Sequence, residues 1–167
     1  MVIRVANSKD VSRVVEITNA CGNHMISQNI FQWDNNYPNK EVFDQDVLVD
    51  ALYVIENKSE VLGCICISIK IDDVYKNVNW LTPNHKNVYL HRLAIHPDFQ
   101  GQGLALKLME YAEEFTVKKK YKSIRLDTFS GNPKNNKFYI LQGYTKLEKI
   151  FYRNQSDMPF HCYEKIL

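Results

Sequence analysis

The chain has 167 residues, of which 45% are hydrophobic and 24% charged, and its formal net charge at pH 7 is +2. These values are typical of one globular domain over residues 1–167, and they favour neither nucleic acid nor a membrane as a partner. Because the N-terminal residues lack a signal peptide's apolar core and no apolar run is long enough to span a bilayer, we expect a cytoplasmic protein.

The N-terminal quarter of the chain predicts one strand and two helices. The strand covers residues 2–5, and the apolar stripe of the first helix is expected to end at Gly22 and Asn23. A loop rich in Asx and Pro follows at 34–38. The second helix is predicted over 40–50.

A hairpin and a long polar connection follow. Residues 51–56 and 61–71 have the apolar pattern of two paired strands. Gly63 interrupts the second strand and marks a bulge or a close approach of two backbones. Residues 72–86 are polar and aperiodic, so we expect a loop at the surface or at the mouth of a substrate site.

The middle of the chain reads as a strand, a glycine turn and a helix. The strand 88–95 is apolar on both faces and ends near Pro97, and the helix runs from Leu104 to Lys120. The first amides of a helix have no internal partner and favour an anion, so the turn predicts a phosphate cradle. The alternative is that the glycines only form a tight turn. The cradle residues are Gln100, Gly101, Gln102, Gly103, Leu104 and Ala105.

The last third adds a strand, a short helix and two closing strands. The strand covers 122–128 and the helix 132–141, which Gly143 ends. The closing strands cover 144–152 and 160–166. This order of elements predicts a single mixed α/β domain with a partly antiparallel sheet.

The glycine turn resembles the Q/R-x-x-G-x-G/A signature of the GNAT acyltransferases. The strand before it reads Leu-x-x-Leu-Ala-Ile-x-Pro, as is common in that family, and Asn132–Tyr144 is similar to the family's N-x-x-A-x-x-F/L-Y-x-x-x-G-F/Y segment. The resemblance covers residues 88–147. It implies a GNAT-like α/β fold, with a mixed central sheet flanked by helices and with splayed central strands.

The resemblance also implies the cofactor and the residues that bind it. Acetyl-CoA is the expected co-substrate, with its pantetheine arm on the backbone of the central strand and its pyrophosphate on the glycine turn. Asn132 would bind the pantetheine arm, and Asn135, where the family often has Ala, would reach the cofactor less directly. The cofactor-binding residues are then Leu93, Ala94, Ile95, Gln100, Gly101, Gln102, Gly103, Leu104, Ala105, Asn132, Asn135 and Tyr139.

Acetyl transfer to an amine needs an acid and a base, since only about one amine in a thousand is uncharged at pH 7. Tyr139 matches the family tyrosine that reprotonates the thiolate; the alternative is that it only packs the short helix. His91 lies in an apolar strand and is the candidate base; the alternative is a satisfied core histidine. Trp33 and Tyr37 border the expected substrate amine by analogy, although Trp33 suits the core equally well.

The resemblance implies an N-acetyltransferase that moves an acetyl group directly from acetyl-CoA to a primary amine, on a small molecule or a peptide. A non-catalytic acyl-CoA-binding module would keep the turn but lack turnover. A dinucleotide-binding enzyme would need a third glycine and an earlier loop. No metal is expected, because the histidines lack metal-site spacing. Many members of the family pair through their C-terminal strands, which suggests a homodimer.

Overall fold

The computed structural model describes residues 1–34, 36–153 and 155–167; Asn35 of the predicted loop and Asn154 lie outside them. Two short 3-10 segments occur at Asp73–Tyr75 and Pro97–Phe99. The helices and strands, in chain order, are β1 (Val2–Val5), α1 (Val11–Ile26), α2 (Lys40–Leu48), β2 (Leu52–Asn57), β3 (Glu60–Ser68), β4 (Asn87–Ile95), α3 (Leu104–Lys118), β5 (Ser123–Phe129), α4 (Pro133–Leu141), β6 (Thr145–Ile150) and β7 (Phe160–Ile166).

The strands form a seven-stranded sheet in the order β1-β2-β3-β4-β5-β7-β6. The β1–β2, β2–β3, β5–β7 and β6–β7 pairs are antiparallel, whereas β4 and β5 are parallel. The β4–β5 ladder runs from Asn87↔Ser123 to Leu90↔Leu126, although both strands continue beyond it. The predicted mixed α/β fold is therefore confirmed, and the early end of this ladder is the feature expected of splayed central strands.

The density of internal contacts divides the chain into two compact units. The first comprises Met1–Ile67 and His91–Ala112, and the second comprises Ser68–Leu90 and Glu113–Leu167. Strand β4 therefore begins in the second unit and ends in the first, and helix α3 begins in the first and ends in the second. The single domain over 1–167 stays a prediction.

Helix α1 packs its apolar stripe into the core of the first unit, where Val14, Ile17 and Phe43 are fully buried. The helix continues to Ile26, so the predicted end at Gly22 and Asn23 was wrong. Gly22 lies inside the helix, where an added Cβ would stand 3.6 Å from the backbone oxygen of Trp33. That is an ordinary van der Waals distance, so the glycine neither ends the helix nor is required by the packing of Trp33.

Gly63 in β3 allows a close approach of two backbones, as its position in an apolar strand predicted. An added Cβ would lie 2.5 Å from the carbonyl oxygen of Ala94 and would also clash with the side chain of Ile95. The β2–β3 register shifts close by, between Ile55 and Glu56. Any side chain at position 63 would therefore push against the end of β4.

A buried ion pair anchors the long connection in the second unit. Arg125 and Glu164 are fully buried, with Nε and Oε1 3.0 Å apart. The Arg125 guanidinium also donates to the carbonyl oxygens of Thr82 and Pro83, and it lies 4.6 Å from the centre of the Trp80 ring. Arg125 thus fastens the loop predicted at 72–86 to the sheet, and Glu164 accepts further bonds from the amide of Leu81 and the hydroxyl of Thr82. Within the described ranges, none of the helices is long and apolar enough to cross a membrane.

Candidate active site

The glycine turn lies at the surface, between the end of β4 and the start of α3. Gly101 and Gly103 have φ values of +77° and +76°, a region that residues with a Cβ rarely adopt. Gln102 and both glycines are exposed, and the amide of Lys107 already bonds to the carbonyl of Gly103 at 3.1 Å. The amides before Lys107 belong to the first turn, where an α-helix supplies no acceptor. The turn can therefore present several donors to an anion.

Gln100 fixes the turn to the strand that precedes it. Its side-chain amide donates to the carbonyl oxygen of Ile95 at 3.0 Å, and the Cys21 thiol lies 3.1 Å from the same oxygen. Ala94 and Ile95 are buried, whereas Leu93 is half-buried. The end of β4 and the turn thus form one connected piece of backbone in the first unit.

Arg92 gives β4 an irregular backbone just before this end. Its φ is +53°, a strained value for a residue with a Cβ. The guanidinium makes a two-pronged ion pair with Asp46 of α2, with Nε 3.0 Å from Oδ2 and Nη2 2.8 Å from Oδ1, and it donates to the hydroxyl of Tyr37 at 3.2 Å. Both charged side chains are almost 90% buried, at 12% and 13% exposure. The pair therefore ties α2 to the irregular part of β4.

His91, the predicted base, is half-buried in β4, and it is the first residue of that strand that belongs to the first unit. Burial, together with the positive charge of Arg92, lowers the pKa of His91 to about 3. The imidazole is therefore neutral throughout the physiological range and is a weak base. The strand pattern that predicted His91 as a base does not show how strongly burial lowers this pKa.

Trp33 and Tyr37, the predicted substrate residues, also lie in the first unit. Trp33 packs against the core cluster that α1 and β2 share, as the core interpretation expected. The Tyr37 hydroxyl accepts the bond from Arg92. Their part in acceptor binding stays a prediction.

The asparagines predicted to contact the cofactor begin helix α4 in the second unit. Asn132 is buried and caps the helix, since its Oδ1 accepts from the amide of Asn135 at 3.1 Å. The next asparagine, Asn136, donates to the carbonyl oxygens of Phe129 and Asn132 at 2.9 and 2.7 Å. It also accepts from the hydroxyl of Tyr163 at 2.6 Å. These bonds hold the start of α4 against β5 and β7.

Tyr139, the predicted acid, lies on α4 with 7% of its surface exposed. Its ring contacts those of Tyr144 and Tyr163, with centroids 6.1 and 5.7 Å apart. Burial raises the pKa of the Tyr139 hydroxyl above its ordinary range, and the negative charge of Asp127 raises it further. The hydroxyl is therefore protonated at neutral pH and can donate a hydrogen bond.

Asp127 of β5 is a feature that the sequence analysis missed. Its Oδ1 accepts hydrogen bonds from the hydroxyls of Tyr75 and, at 3.0 Å, Tyr152. Little in the sequence marked it, because the strand Ser123–Phe129 also contains Arg125 and Thr128 and is not uniformly apolar.

The structure thus gathers the predicted residues into two groups. The first unit holds the glycine turn, Leu93–Ile95, His91, Trp33 and Tyr37, and the second holds Asn132, Asn135 and Tyr139. Among residues 1–34, 36–153 and 155–167, no group of three His, Cys, Asp or Glu side chains could hold a metal ion.

Comparison with known proteins gives a consistent result. The family model described as acetyltransferase (GNAT) family matches residues 21–144. The uncharacterized N-acetyltransferase YesJ of Bacillus subtilis (strain 168) is 24% identical over 136 residues, which cover 80% of this chain and 72% of YesJ.

Two solved structures share the fold. A GNAT-family acetyltransferase from Streptococcus agalactiae 2603 superposes with a TM-score of 0.84 at 22% identity, covering 99% of this chain and 95% of that one. YncA from Salmonella typhimurium, solved with its cofactor acetyl-CoA, gives a TM-score of 0.72 at 16% identity, covering 100% of this chain and 94% of that one.

Proposed function

Because the chain belongs to the acetyltransferase (GNAT) family and is an acyltransferase, we propose that it transfers the acetyl group of acetyl-CoA directly to a primary amine. The observation that carries this proposal is the exposed turn Gln100–Ala105, with two glycines at positive φ leading into α3. Such a turn offers backbone donors and the positive end of a helix dipole to a pyrophosphate.

The remaining cofactor contacts follow from the same proposal. The backbone of Leu93 and Ala94 binds the pantetheine arm, and the amide of Ile95 polarises the thioester carbonyl. Asn132 bonds to the arm, and Asn135, in the first turn of α4, reaches the cofactor less directly.

The reaction needs two proton transfers. The uncharged amine attacks the thioester carbonyl, a C–N bond forms, and the nitrogen becomes positively charged and more acidic than a free ammonium. His91 takes the proton at that point, because a base of such low pKa cannot deprotonate the free ammonium. The C–S bond then breaks, and Tyr139 donates its hydroxyl hydrogen to the departing sulfur.

The first experiment is thermal unfolding with and without acetyl-CoA, with NAD and ATP as controls. A ligand at 100 times its dissociation constant stabilises the folded state by about 2.7 kcal/mol, which gives a measurable shift in Tm. A Tm shift with acetyl-CoA, and with neither NAD nor ATP, supports acetyl-CoA as the cofactor. No shift would contradict the phosphate cradle.

A matched pair of variants tests the turn itself. Gly103→Asp places a negative charge and a side chain where the phosphates bind, so it should abolish the shift with acetyl-CoA. Gly143→Asp makes the same change at another glycine of positive φ, +83°, after α4. This control variant should lose a comparable amount of stability but keep the Tm shift with acetyl-CoA. An equal loss of that Tm shift in both variants would contradict the cradle.

Turnover separates an enzyme from a sensing module. Release of the CoA thiol in the presence of an amine supports the transferase. Binding of acetyl-CoA without thiol release from any amine in a broad panel would favour the non-catalytic acyl-CoA-binding module.

A further inference from the structure

Strand β4 bends at Arg92, a position where the sequence offers no glycine. The φ of +53° lies in the left-handed region, which glycine, asparagine and aspartate adopt far more readily than arginine. A residue in this conformation interrupts the regular alternation of a strand and bends it. An arginine therefore needs a compensating interaction to stay in such a backbone conformation.

The side chain and the backbone of Arg92 both supply interactions of this kind. The two-pronged pair with Asp46 of α2 fixes the orientation of the guanidinium as well as its position. The third guanidinium nitrogen, Nη1, donates to the hydroxyl of Tyr37, in the loop before α2. On the backbone, the carbonyl oxygen of Arg92 accepts from the thiol of Cys64 in β3, with the sulfur 3.6 Å away. Helix α2, the loop before it and strand β3 thus all hold residue 92.

The bend lies just before the amide that the proposed function assigns to the thioester. The amide of His96 donates to the carbonyl oxygen of Leu62 in β3 at 2.9 Å. Since neighbouring amides of a strand point to opposite edges, the amide of Ile95 points away from β3. Its direction is set at one end by Gln100, which donates to the carbonyl oxygen of Ile95, and at the other end by the bend at Arg92.

We propose that Arg92 is a positioning residue for acetyl transfer: its ion pair with Asp46 holds the bend in β4 that aims the Ile95 amide at the thioester carbonyl. The inference rests on the proposed function, and it adds a residue that acts through the backbone of β4. A hydrogen bond to the developing oxyanion depends on the direction of its donor. Loss of the bend should therefore lower kcat, while the separate glycine turn keeps its hold on CoA.

Two substitutions at position 92, each combined with Asp46→Asn, separate the bend from the charge. Arg92→Gly and Arg92→Ala both remove the guanidinium, and Asn at position 46 leaves no buried carboxylate without a partner. Glycine adopts a positive φ freely, whereas alanine favours an extended backbone. The kcat per CoA-binding site should be about tenfold lower in the alanine variant than in the glycine variant. The KM for acetyl-CoA should differ by less than about threefold between them. Equal kcat values in the two variants would overturn the proposal.

A single substitution tests the ion pair if neither double variant folds. Arg92→Lys keeps a cation beside Asp46 but cannot form the two-pronged pair. It should lower kcat about fivefold with little change in the affinity for CoA, because the donor is misdirected and not removed. The control is Asp44→Asn on the same helix, whose kcat should match the wild type. A wild-type kcat in Arg92→Lys, or an equal loss of kcat in the control, would overturn the proposal.

Backbone NMR chemical shifts separate this inference from the proposed function, because they require neither cofactor nor turnover. In the wild type, the shifts of Arg92 should report a positive φ. In Asp46→Asn they should move toward the values of an extended strand, and the amide shift of Ile95 should change with them. If the wild type releases no thiol with any amine, the transferase proposal fails, while these shifts still decide whether the ion pair holds the bend. A positive φ at Arg92 that persists in Asp46→Asn would contradict the inference.

Discussion

Three ionisable residues lie within the sheet: His91 and Arg92 in the mainly apolar strand β4, and Asp127 in β5 between the buried Leu126 and Thr128. Because burying a charge without a partner is costly, each of these residues either loses its charge or has a partner that stabilises it. His91 loses its charge, Arg92 pairs with Asp46, and Asp127 accepts hydrogen bonds from two tyrosines. Of the three, His91 takes part in the proposed proton transfers.

Replacing Tyr139 with Phe should slow acetyl transfer about 100-fold, in the range that acid catalysis contributes. The affinity for acetyl-CoA should change little, because the ring stays in place. Tyr144→Phe is the matched control: it removes a hydroxyl from the neighbouring buried ring, where it donates to Glu113 at 3.3 Å. Single-turnover measurement of CoA release compares the two variants. Equal rates in Tyr139→Phe and the wild type would remove Tyr139 as the acid.

His91 should make the protein less stable in weak acid. Its pKa is 6.5 in the unfolded chain and about 3 in the folded protein, so only the unfolded state binds a proton between these values. The free energy of unfolding is therefore lost as pH falls below 6.5, with a slope that approaches about 1.4 kcal/mol per pH unit.

His91→Gln should reduce this slope between pH 6.5 and 5, as measured by urea unfolding. Some slope should persist, because burial also lowers the pKa of His161. A slope unchanged from the wild type would show that His91 is not the buried neutral group. The same lowered pKa predicts that kcat/KM has no inflection near pH 6.5 and rises toward the pKa of the amine.

At the scale of elements, one ion pair joins helix α2 to strand β4. Asp46→Asn would leave Arg92 largely buried without its counter-ion, which should cost about 3 kcal/mol of unfolding free energy. Asp44→Asn is the control on the same helix, since Asp44 pairs with Lys40 at the surface and should contribute under about 0.5 kcal/mol. Chemical denaturation measures the free energy of unfolding of both variants. Equal losses would contradict a structural role for the Arg92–Asp46 pair.

Local patterns predicted most elements because strands, turns and helix ends have local chemical causes. The short helix begins at Pro133 with Asn132 as its cap, and Gly143 follows its end at a φ of +83°. The prediction for Gly22 failed, because α1 packs on the core of the first unit and continues through this glycine to Ile26. A contact between distant residues leaves no local signal.

The same reason limits what the sequence reveals of the site. The glycine turn is contiguous, so its residues could be named in advance. The partners of Arg92 and Asp127 lie 46 and 52 positions away, at Asp46 and Tyr75, and only the fold identifies them. The low pKa of His91 likewise depends on burial that a strand pattern does not quantify.

At the scale of the whole molecule, the two units share continuous elements. Strand β4 and helix α3 each contribute residues to both units. Strands and helices form cooperatively, so we expect one unfolding transition for residues 1–167.

The two tryptophans allow a direct measurement, because Trp33 belongs to the first unit and Trp80 to the second. The variants Trp33→Phe and Trp80→Phe each leave one fluorescent reporter. Within each variant, the unfolding transition in urea that is followed by fluorescence should coincide with the one followed by far-ultraviolet circular dichroism. Fluorescence and dichroism midpoints that differ by more than the error of the fit would show two domains.

Each unit is made of two separate stretches of chain, interleaved as first, second, first, second. No single break in the gene divides the coding sequence into two complete units. A recombination event with one crossover therefore always leaves at least one unit assembled from two parents.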